Sequence, residues 1–138
     1  MSKQNLPRPT DAELEILNAL WQRGAATVRE VHDELSARKA TLYTTVLKTL
    51  QIMTEKGLVE RDESQRAHLY RARLAQDETR RQLLDDLLAR AFDGSATKLV
   101  MQALSSKEAS AEELTEIRAM LDDFERGHAK ERKGGEGR

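Results

Sequence analysis

The sequence predicts a mostly α-helical chain with one small β-hairpin. Apolar residues recur at the three-to-four-residue spacing of helices along most of the chain, and they alternate only within residues 58–72. Hydrophobic residues make up 38% of the 138 positions and aromatic residues 4%. This composition supports an aliphatic core of modest size and gives no support to a large enzyme cavity walled by aromatic side chains.

The amino-acid composition narrows the function classes. Cysteine is absent, which excludes disulfides, thiolate metal sites and cysteine nucleophiles. No apolar run is long enough to cross a bilayer and residues 1–9 show no signal-peptide pattern, so we expect a cytoplasmic protein without membrane insertion. The net charge is −1, but residues 1–75 carry a net +2 and residues 76–126 a net −5. The first half of the chain is therefore the part suited to a nucleic acid.

Two capping boxes define the first two helices. Thr10–Glu13 places a threonine hydroxyl and a glutamate carboxylate at the reciprocal spacing that begins a helix, and Gly24 ends the apolar stripe that follows. Thr27–Glu30 repeats the pattern and begins a short helix ending near Ala37. We expect the nine residues before Thr10 to form a flexible arm.

A third helix and a hairpin follow. The helical period predicts a helix over Thr41–Lys56 that Gly57 ends. Strands are predicted at Leu58–Asp62 and Ala67–Ala72, joined by a polar turn at residues 63–66. Three short helices followed by a hairpin are the order of a winged helix-turn-helix, a fold that binds DNA.

The second half is helical again. The chain shifts to a helical period near residues 74–77, where we place the domain boundary. Ser95 and the capping box Ser110–Glu113 begin two later helices, and the glycine-rich, charged end shows no periodicity. The expected organisation is a flexible arm (1–9), a winged-helix DNA-binding domain (10–75), a helical dimerisation domain (76–126) and a disordered tail (127–138).

The third helix has two chemically different faces. One is apolar and suited to the core, while the other carries threonines and Lys48, which can hydrogen-bond to base edges and phosphates. Arg66 and His68 lie at and just after the tip of the predicted wing. Tyr43 fits a phosphate contact and a plain surface position about equally well. The predicted DNA-binding residues are Arg38, Lys39, Thr41, Tyr43, Thr44, Thr45, Lys48, Thr49, Arg66 and His68.

The apolar residues after residue 76 predict a dimer. A stretch of about fifty residues is marginal for an independent core, and a second copy would bury its apolar faces more fully. A two-fold dimer would also present two reading helices to a palindromic site. The predicted interface residues are Leu83, Leu84, Leu87, Leu88, Phe92, Leu99, Val100, Leu104, Leu114, Ile117, Leu121 and Phe124.

Several short stretches, each weak alone, occur in one order over residues 8–124. They are Thr10–Leu17 with Leu20 and Trp21, Thr27–Val31, Thr44–Val46 with Leu50, Lys56–Val59, Tyr70, Phe92–Ser95 with Leu99 and Val100, and Ser110–Leu114. In this combination the sequence resembles the penicillinase repressor family of winged-helix regulators (BlaI/MecI/CopY type). The resemblance implies a homodimer that binds an inverted-repeat operator in double-stranded DNA and blocks transcription.

The resemblance also implies a regulatory protease as a partner. Members of the family are cut in the segment that matches Leu99–Leu104, usually between Asn and Phe. This chain has Gln102 and Ala103 at that place and so departs from the pattern. The copper-responsive branch of the family carries C-terminal cysteine pairs, which this chain lacks.

Enzymatic and metal functions find no support in the sequence. His32, His68 and His128 lie in different predicted elements without ligand spacing, and adjacent acidic residues on a helix diverge by about 100°. We expect no catalytic residues, metal or cofactor. Two other hypotheses stay open at this point: a winged-helix adaptor that binds protein and not DNA, and a ligand-responsive regulator of another winged-helix family.

Overall fold

The structure is a computed structural model that describes residues 8–106 and 109–136. Within these residues the chain is mostly helical with one two-stranded antiparallel sheet, as the sequence predicts. None of the helices in this part of the chain is both long and apolar enough to span a membrane. The elements are α1 (Asp11–Arg23), α2 (Val28–Ser36), α3 (Tyr43–Lys56), β1 (Val59–Asp62), β2 (Leu69–Ala72), α4 (Gln76–Ala91), α5 (Ala96–Ser106) and α6 (Ala111–Glu136).

The predicted caps form the helix starts. In Thr10–Glu13 the backbone N–H of Glu13 donates to the threonine hydroxyl at 3.2 Å, and the N–H of Thr10 donates to the carboxylate at 2.9 Å. The same reciprocal bonds are present in Thr27–Glu30 and Ser110–Glu113. Ser95 accepts a hydrogen bond from the N–H of Lys98 at 3.1 Å. These local bonds explain why the helix starts could be predicted from sequence.

The third helix begins two residues later than predicted. Leu42, with φ −82° and ψ 139°, is its N-cap, and Thr41 precedes the helix. The Thr41 hydroxyl donates to the carbonyl of Lys39 at 2.7 Å, which holds this stretch in a turn. Gly57 ends the helix at φ 83°, and the N–H of Leu58 then donates to the carbonyl of Met53 at 2.9 Å.

The wing is a short hairpin with a longer loop than predicted. Its register pairs Val59 with Ala72 and Asp62 with Leu69, which leaves residues 63–68 as the connection. A third segment also pairs, because Ala26 and Tyr70 exchange two backbone hydrogen bonds of 2.9 and 2.8 Å. This bridge fixes the wing to the segment between α1 and α2.

The chain divides into two compact units, Met1–Leu87 and Leu88–Arg138. The division lies within α4, farther along the chain than the boundary expected at residues 74–77. Thr79 in the first part of α4 is buried in the first unit, and the indole N–H of Trp21 donates to the carbonyl of Leu74 at 2.9 Å. These contacts attach the start of α4 to the first unit.

The first unit has one continuous apolar core to which α1, α2, α3 and the hairpin contribute. Two residues of the flexible arm expected over residues 1–9 are described, and both are attached to this unit. Pro9 is buried and Arg8 forms an ion pair with Asp86; residues 1–7 lie outside the described part. The core comprises Ile16, Leu17, Leu20, Ala26, Val28, Val31, Val46, Leu50, Met53, Leu58, Val59 and Tyr70.

The second unit contains helices with little buried surface. No residue of α5 is buried. The structure differs from the disordered tail expected at residues 127–138, because α6 continues through Gly127 to Glu136. One glycine costs a helix about 1 kcal/mol and does not end it when good helix formers follow, as they do at residues 129–133. Residues 137 and 138 lie outside the described part.

Candidate nucleic-acid interface

The outward face of α3 is set by its buried face. Val46, Leu50 and Met53 are each at most 1% exposed and lie in the core. The opposite side of the helix must therefore face outward, and the structure places Thr44, Thr45 and Lys48 there with exposed side chains. The geometry that the apolar period predicted is present. A role in DNA contact stays a prediction for each of these residues.

Thr49 differs from the other threonines of this face. It is half-buried, and its hydroxyl donates to the carbonyl of Thr45 at 2.8 Å. Its donor is therefore used within the helix, which leaves a lone pair and a methyl group for an outside partner.

Residues 37–42 connect α2 to α3 and contribute two cations. Arg38 and Lys39 are exposed in this connection. Thr41 is half-buried beside them and, as described above, is not part of the helix. It shares no helical face with Thr44, contrary to the sequence prediction, because α3 begins only at Tyr43.

Tyr43 is held between two side chains of α2. The ring of His32 lies 5.7 Å from the Tyr43 ring in an edge-on arrangement, and the guanidinium of Arg29 lies 5.9 Å from the ring centroid. His32 also contacts the carbonyl of Thr41 at 2.8 Å and the hydroxyl of Ser36 at 3.2 Å. One face of α2 therefore fixes the first residue of α3 and the connection before it.

Sequence reasoning missed Arg29. A cleft of about 400 Å³ separates the start of α2 from the wing, and Arg29, Tyr43, Arg66 and His68 all line it. The signal in the sequence was the spacing of Arg29 and His32, which places them one turn apart on the same face of α2. The packing of that face against α3 could not be deduced from the spacing.

A second concave surface lies on the other side of α3. This groove, called the α1–α3 groove below, has a volume of about 340 Å³ and a floor of core residues. Glu15 is the carboxylate in its wall. Four of the predicted DNA-binding residues line it together with Leu42: Lys39, Thr41, Thr45 and Thr49.

The cations of the first unit fall into two groups. Arg23, Lys56 and Arg71 are paired with carboxylates at 2.8–3.5 Å. Within residues 8–106 and 109–136, no ion pair involves any of the cations predicted to contact DNA. The predicted DNA contacts in this unpaired group are Arg38, Lys39, Lys48 and Arg66; Arg29, Arg73 and Arg80 also form no ion pair among the described residues.

The wing loop starts from a structured turn. The backbone N–H of Ser64 donates to a carboxylate oxygen of Asp62 at 2.9 Å. This hydrogen bond is the main reason why the pKa of Asp62 is lowered from its ordinary value. The turn orients the loop that carries Arg66 and His68, and both side chains are exposed.

The predicted dimer residues are all incompletely buried in the single chain. Two further exposed apolar side chains, Met101 and Met120, were missed by the sequence analysis although they are near the same helical faces. Participation in an interface stays a prediction. Those half-buried are Leu83, Leu88, Phe92, Leu99, Leu104, Leu114 and Ile117; those exposed are Leu84, Leu87, Val100, Leu121 and Phe124.

Gln102 and Ala103 lie within α5 and are exposed. Their backbone is helical, so a protease would have to unwind the helix before it could bind this segment as an extended strand. Cleavage at this place stays an expectation from the resemblance.

Comparisons with known proteins identify related sequences. The chain matches the family model for the penicillinase repressor over residues 9–123. The transcriptional regulator BlaI of Mycobacterium tuberculosis is 36% identical over 124 residues, which cover 89% of each chain. The penicillinase repressor of Bacillus licheniformis is 23% identical over 120 residues, covering 87% of this chain and 94% of the relative.

One solved structure resembles most of the fold. The complex structure of hsRosR-S4 matches with a TM-score of 0.51 and 19% sequence identity, covering 92% of this chain and 98% of that chain. At this identity the match supports the fold alone.

Proposed function

We infer that this chain, which belongs to the penicillinase repressor family, is a sequence-specific DNA-binding transcriptional repressor. The observation that carries the inference is the outward face of α3. The core fixes that face, and it presents threonines and the unpaired Lys48 on a helix narrow enough for the major groove, with Arg38 and Lys39 in the connection before it. Its target is thus a base-pair sequence, and no reaction is involved.

The predicted DNA-binding residues divide into those that contact base edges and those that contact phosphates. In the proposed complex, Thr44, Thr45 and Lys48 face base edges in the major groove. The cleft beside the wing, with Arg29 and Arg66, follows the phosphate backbone on one side of α3. Arg38 and Lys39 contact phosphates near the start of the helix.

The second unit supplies the pairing surface. Its helices expose apolar side chains as large as Met101, Leu121 and Phe124, which are 59–70% exposed. Burial against a second copy would remove this surface from water and place two reading helices in two-fold symmetry. The protein then binds an inverted-repeat operator, and competition at the promoter blocks transcription. As a repressor it works in the cytoplasm, with the chromosome.

Neither of the two other hypotheses, the protein-binding adaptor and the ligand-responsive regulator of another winged-helix family, gains support. The relatives are named as regulators and repressors, whereas a protein-binding adaptor has no need for unpaired cations beside a threonine-rich helix. No observation on the described residues points to a small-molecule effector.

The experiment uses DNA that the protein itself selects from a randomised duplex pool. We expect the full chain to retain a palindromic duplex in a gel shift, with affinity that falls steeply from low to moderate salt because cations release counterions from phosphates. The double variant Lys48→Ala plus Thr45→Ala should lose at least about thirtyfold in affinity, since each lost base contact is worth about 1–3 kcal/mol.

The control removes the same side-chain types from α5. Thr97→Ala plus Lys98→Ala should bind the selected duplex like the unaltered protein. Unchanged binding by the Lys48 and Thr45 variant would refute the assignment of the reading face. Failure of the unaltered chain to select any duplex would refute DNA binding itself.

A further inference from the structure

Leu42 is an unusual residue for the start of a helix. The N-caps of α1 and α2 are threonines whose hydroxyls accept a backbone N–H. Leu42 is the N-cap of α3 and offers no such acceptor. Serine, threonine, asparagine or aspartate at an N-cap stabilises a helix by about 1 kcal/mol relative to an apolar residue. At the helix that reads DNA, the chain therefore forgoes a stabilising cap.

The side chain of Leu42 gains nothing from the core in exchange. It is 71% exposed, the most exposed large apolar side chain among the described residues. An exposed leucine by itself needs no explanation. This one lines the α1–α3 groove beside Thr41, Thr45 and Lys39, all of them predicted DNA contacts. Leu42 is thus a largely exposed apolar side chain in a groove whose wall also carries threonine hydroxyls, the Lys39 ammonium and the Glu15 carboxylate.

We propose that Leu42 is a specificity-determining residue that packs against the 5-methyl group of a thymine in each operator half-site. The proposal rests on the proposed function, since it needs α3 in the major groove. The first residues of a recognition helix are those that approach base edges. Leu42 precedes Thr44 and Thr45 at that end of the helix, within the same groove as Thr45.

The chemistry of the groove identifies thymine. In the major groove the thymine methyl is the apolar feature that distinguishes the four base pairs, and an aliphatic side chain is its partner. The threonine hydroxyls beside Leu42 hydrogen-bond to polar edges and cannot serve as an apolar contact of this size. A serine or aspartate cap would stabilise the free protein and lose the methyl contact.

The test removes the methyl group from the DNA and the side chain from the protein. Each thymine of the selected duplex is replaced singly by uracil, which lacks only the 5-methyl group. We expect the unaltered full chain to bind about fourfold more weakly when one particular thymine of the half-site is replaced, the loss that corresponds to one methyl group. Leu42→Ala should bind the thymine duplex at least as weakly as the unaltered chain binds the uracil duplex. Replacing that thymine by uracil should not weaken the binding of Leu42→Ala any further.

The control variant is Ile52→Ala. Ile52 is 41% exposed and lies on the same helix, ten residues farther along, away from the reading end. It should retain the full difference between the thymine and uracil duplexes. If Leu42→Ala also retained that difference, or if no thymine methyl mattered to the unaltered chain, the proposal would be overturned while DNA binding stood.

A second variant separates specificity from stability. Leu42→Ser introduces a good N-cap, so its Tm should rise by about 4 °C, while its affinity for the thymine duplex falls about fourfold. A fall in Tm would assign Leu42 a packing role and overturn the proposal. If the unaltered chain selected no duplex at all, the proposed function would fail together with this inference.

Discussion

The Nε2 atom of His32 lies 2.8 Å from the carbonyl oxygen of Thr41. A carbonyl oxygen can only accept, so the ring nitrogen of His32 is the donor in this bond. The bond joins the middle of α2 to the residue before the N-cap of α3. The position of α3 therefore depends on a side chain of α2 that does not belong to the outward face of α3.

Loss of this bond should affect the specificity of DNA binding more than the stability of the fold. His32→Phe keeps an aromatic ring beside Tyr43 and removes the hydrogen bond, which should cost about 1 kcal/mol in the free energy of unfolding. We expect the ratio of affinities for selected and random duplexes to fall about tenfold, because α3 is less well positioned in the groove. Competition gel shifts measure that ratio. His32→Gln, which carries an N–H donor, should restore part of it, and equal ratios in all three proteins would contradict a positioning role.

The ion pair between the buried Glu13 and the half-buried Lys56 should be important for stability. The Lys56 ammonium contacts both carboxylate oxygens of Glu13 at 2.8 and 3.0 Å, and the Glu13 side chain is only 5% exposed. Lys56→Met leaves that carboxylate in the interior without its counter-charge, at a cost of about 2 kcal/mol. Urea unfolding measures the loss. Lys48→Met on the same helix removes an exposed, unpaired lysine and should change stability by less than about 0.5 kcal/mol.

The same carboxylate predicts a pH dependence. Burial raises the pKa of Glu13, but hydrogen bonds from Lys56 and Thr10 outweigh this effect and lower it below the ordinary value of 4.5. A lowered pKa in the folded state means that the stabilisation is complete above about pH 4.5 and is lost as the pH falls toward the folded-state pKa. Urea unfolding from pH 7 to pH 3 should show this loss in the unaltered protein. Glu13→Gln should flatten that part of the profile, and identical profiles would show that another group is responsible.

The features that could be predicted from the sequence are those that residues close together in the chain determine. Helix starts at Thr10, Thr27 and Ser110 depend on side chains three residues apart, so their hydrogen bonds could be predicted from spacing. The buried side of α3 followed from the helical period in the same way. The start at Tyr43 was missed because threonines before a helix and inside it look alike in sequence, and only the Thr41–Lys39 hydrogen bond separates them.

The remaining features depend on contacts between distant segments. The bridge between Ala26 and Tyr70 involves a single residue on one side, which leaves no alternating pattern to recognise. Arg29 became a candidate only when α2 was seen against Tyr43 and the wing. The proposed role of Leu42 in specificity likewise follows from its exposure and from its place in the α1–α3 groove, and neither can be deduced from local sequence.

Replacement of Gly57 and of Gly127 by alanine should have opposite effects on stability. Gly57 has a φ of 83°, and a Cβ atom there would lie 3.0 Å from the Arg73 guanidinium, so Gly57→Ala should destabilise the first unit by about 1 kcal/mol or more. Gly127 is inside α6, where a Cβ atom would meet no other atom within 4 Å, and Gly127→Ala should stabilise that helix by up to about 1 kcal/mol. Thermal unfolding of both variants checks the signs. A stabilising Gly57→Ala would mean that α3 does not end in the left-handed conformation.

The exposed apolar side chains in the middle of α6 provide a test of dimerisation. Leu121 and Phe124 are 59% and 70% exposed and lie three residues apart, on one side of the helix. If a second copy covers them, Leu121→Glu plus Phe124→Glu places carboxylates in an apolar interface, and sedimentation should show a monomer at concentrations where the unaltered chain is a dimer. Operator affinity should fall by at least about tenfold, because the two reading helices are no longer linked. Glu116→Gln plus Glu125→Gln, which changes exposed polar residues of the same helix, should leave the dimer intact. A dimer that survived the paired glutamates would exclude this part of α6 from the interface and leave the faces of α4 and α5 as the surfaces that pair the subunits.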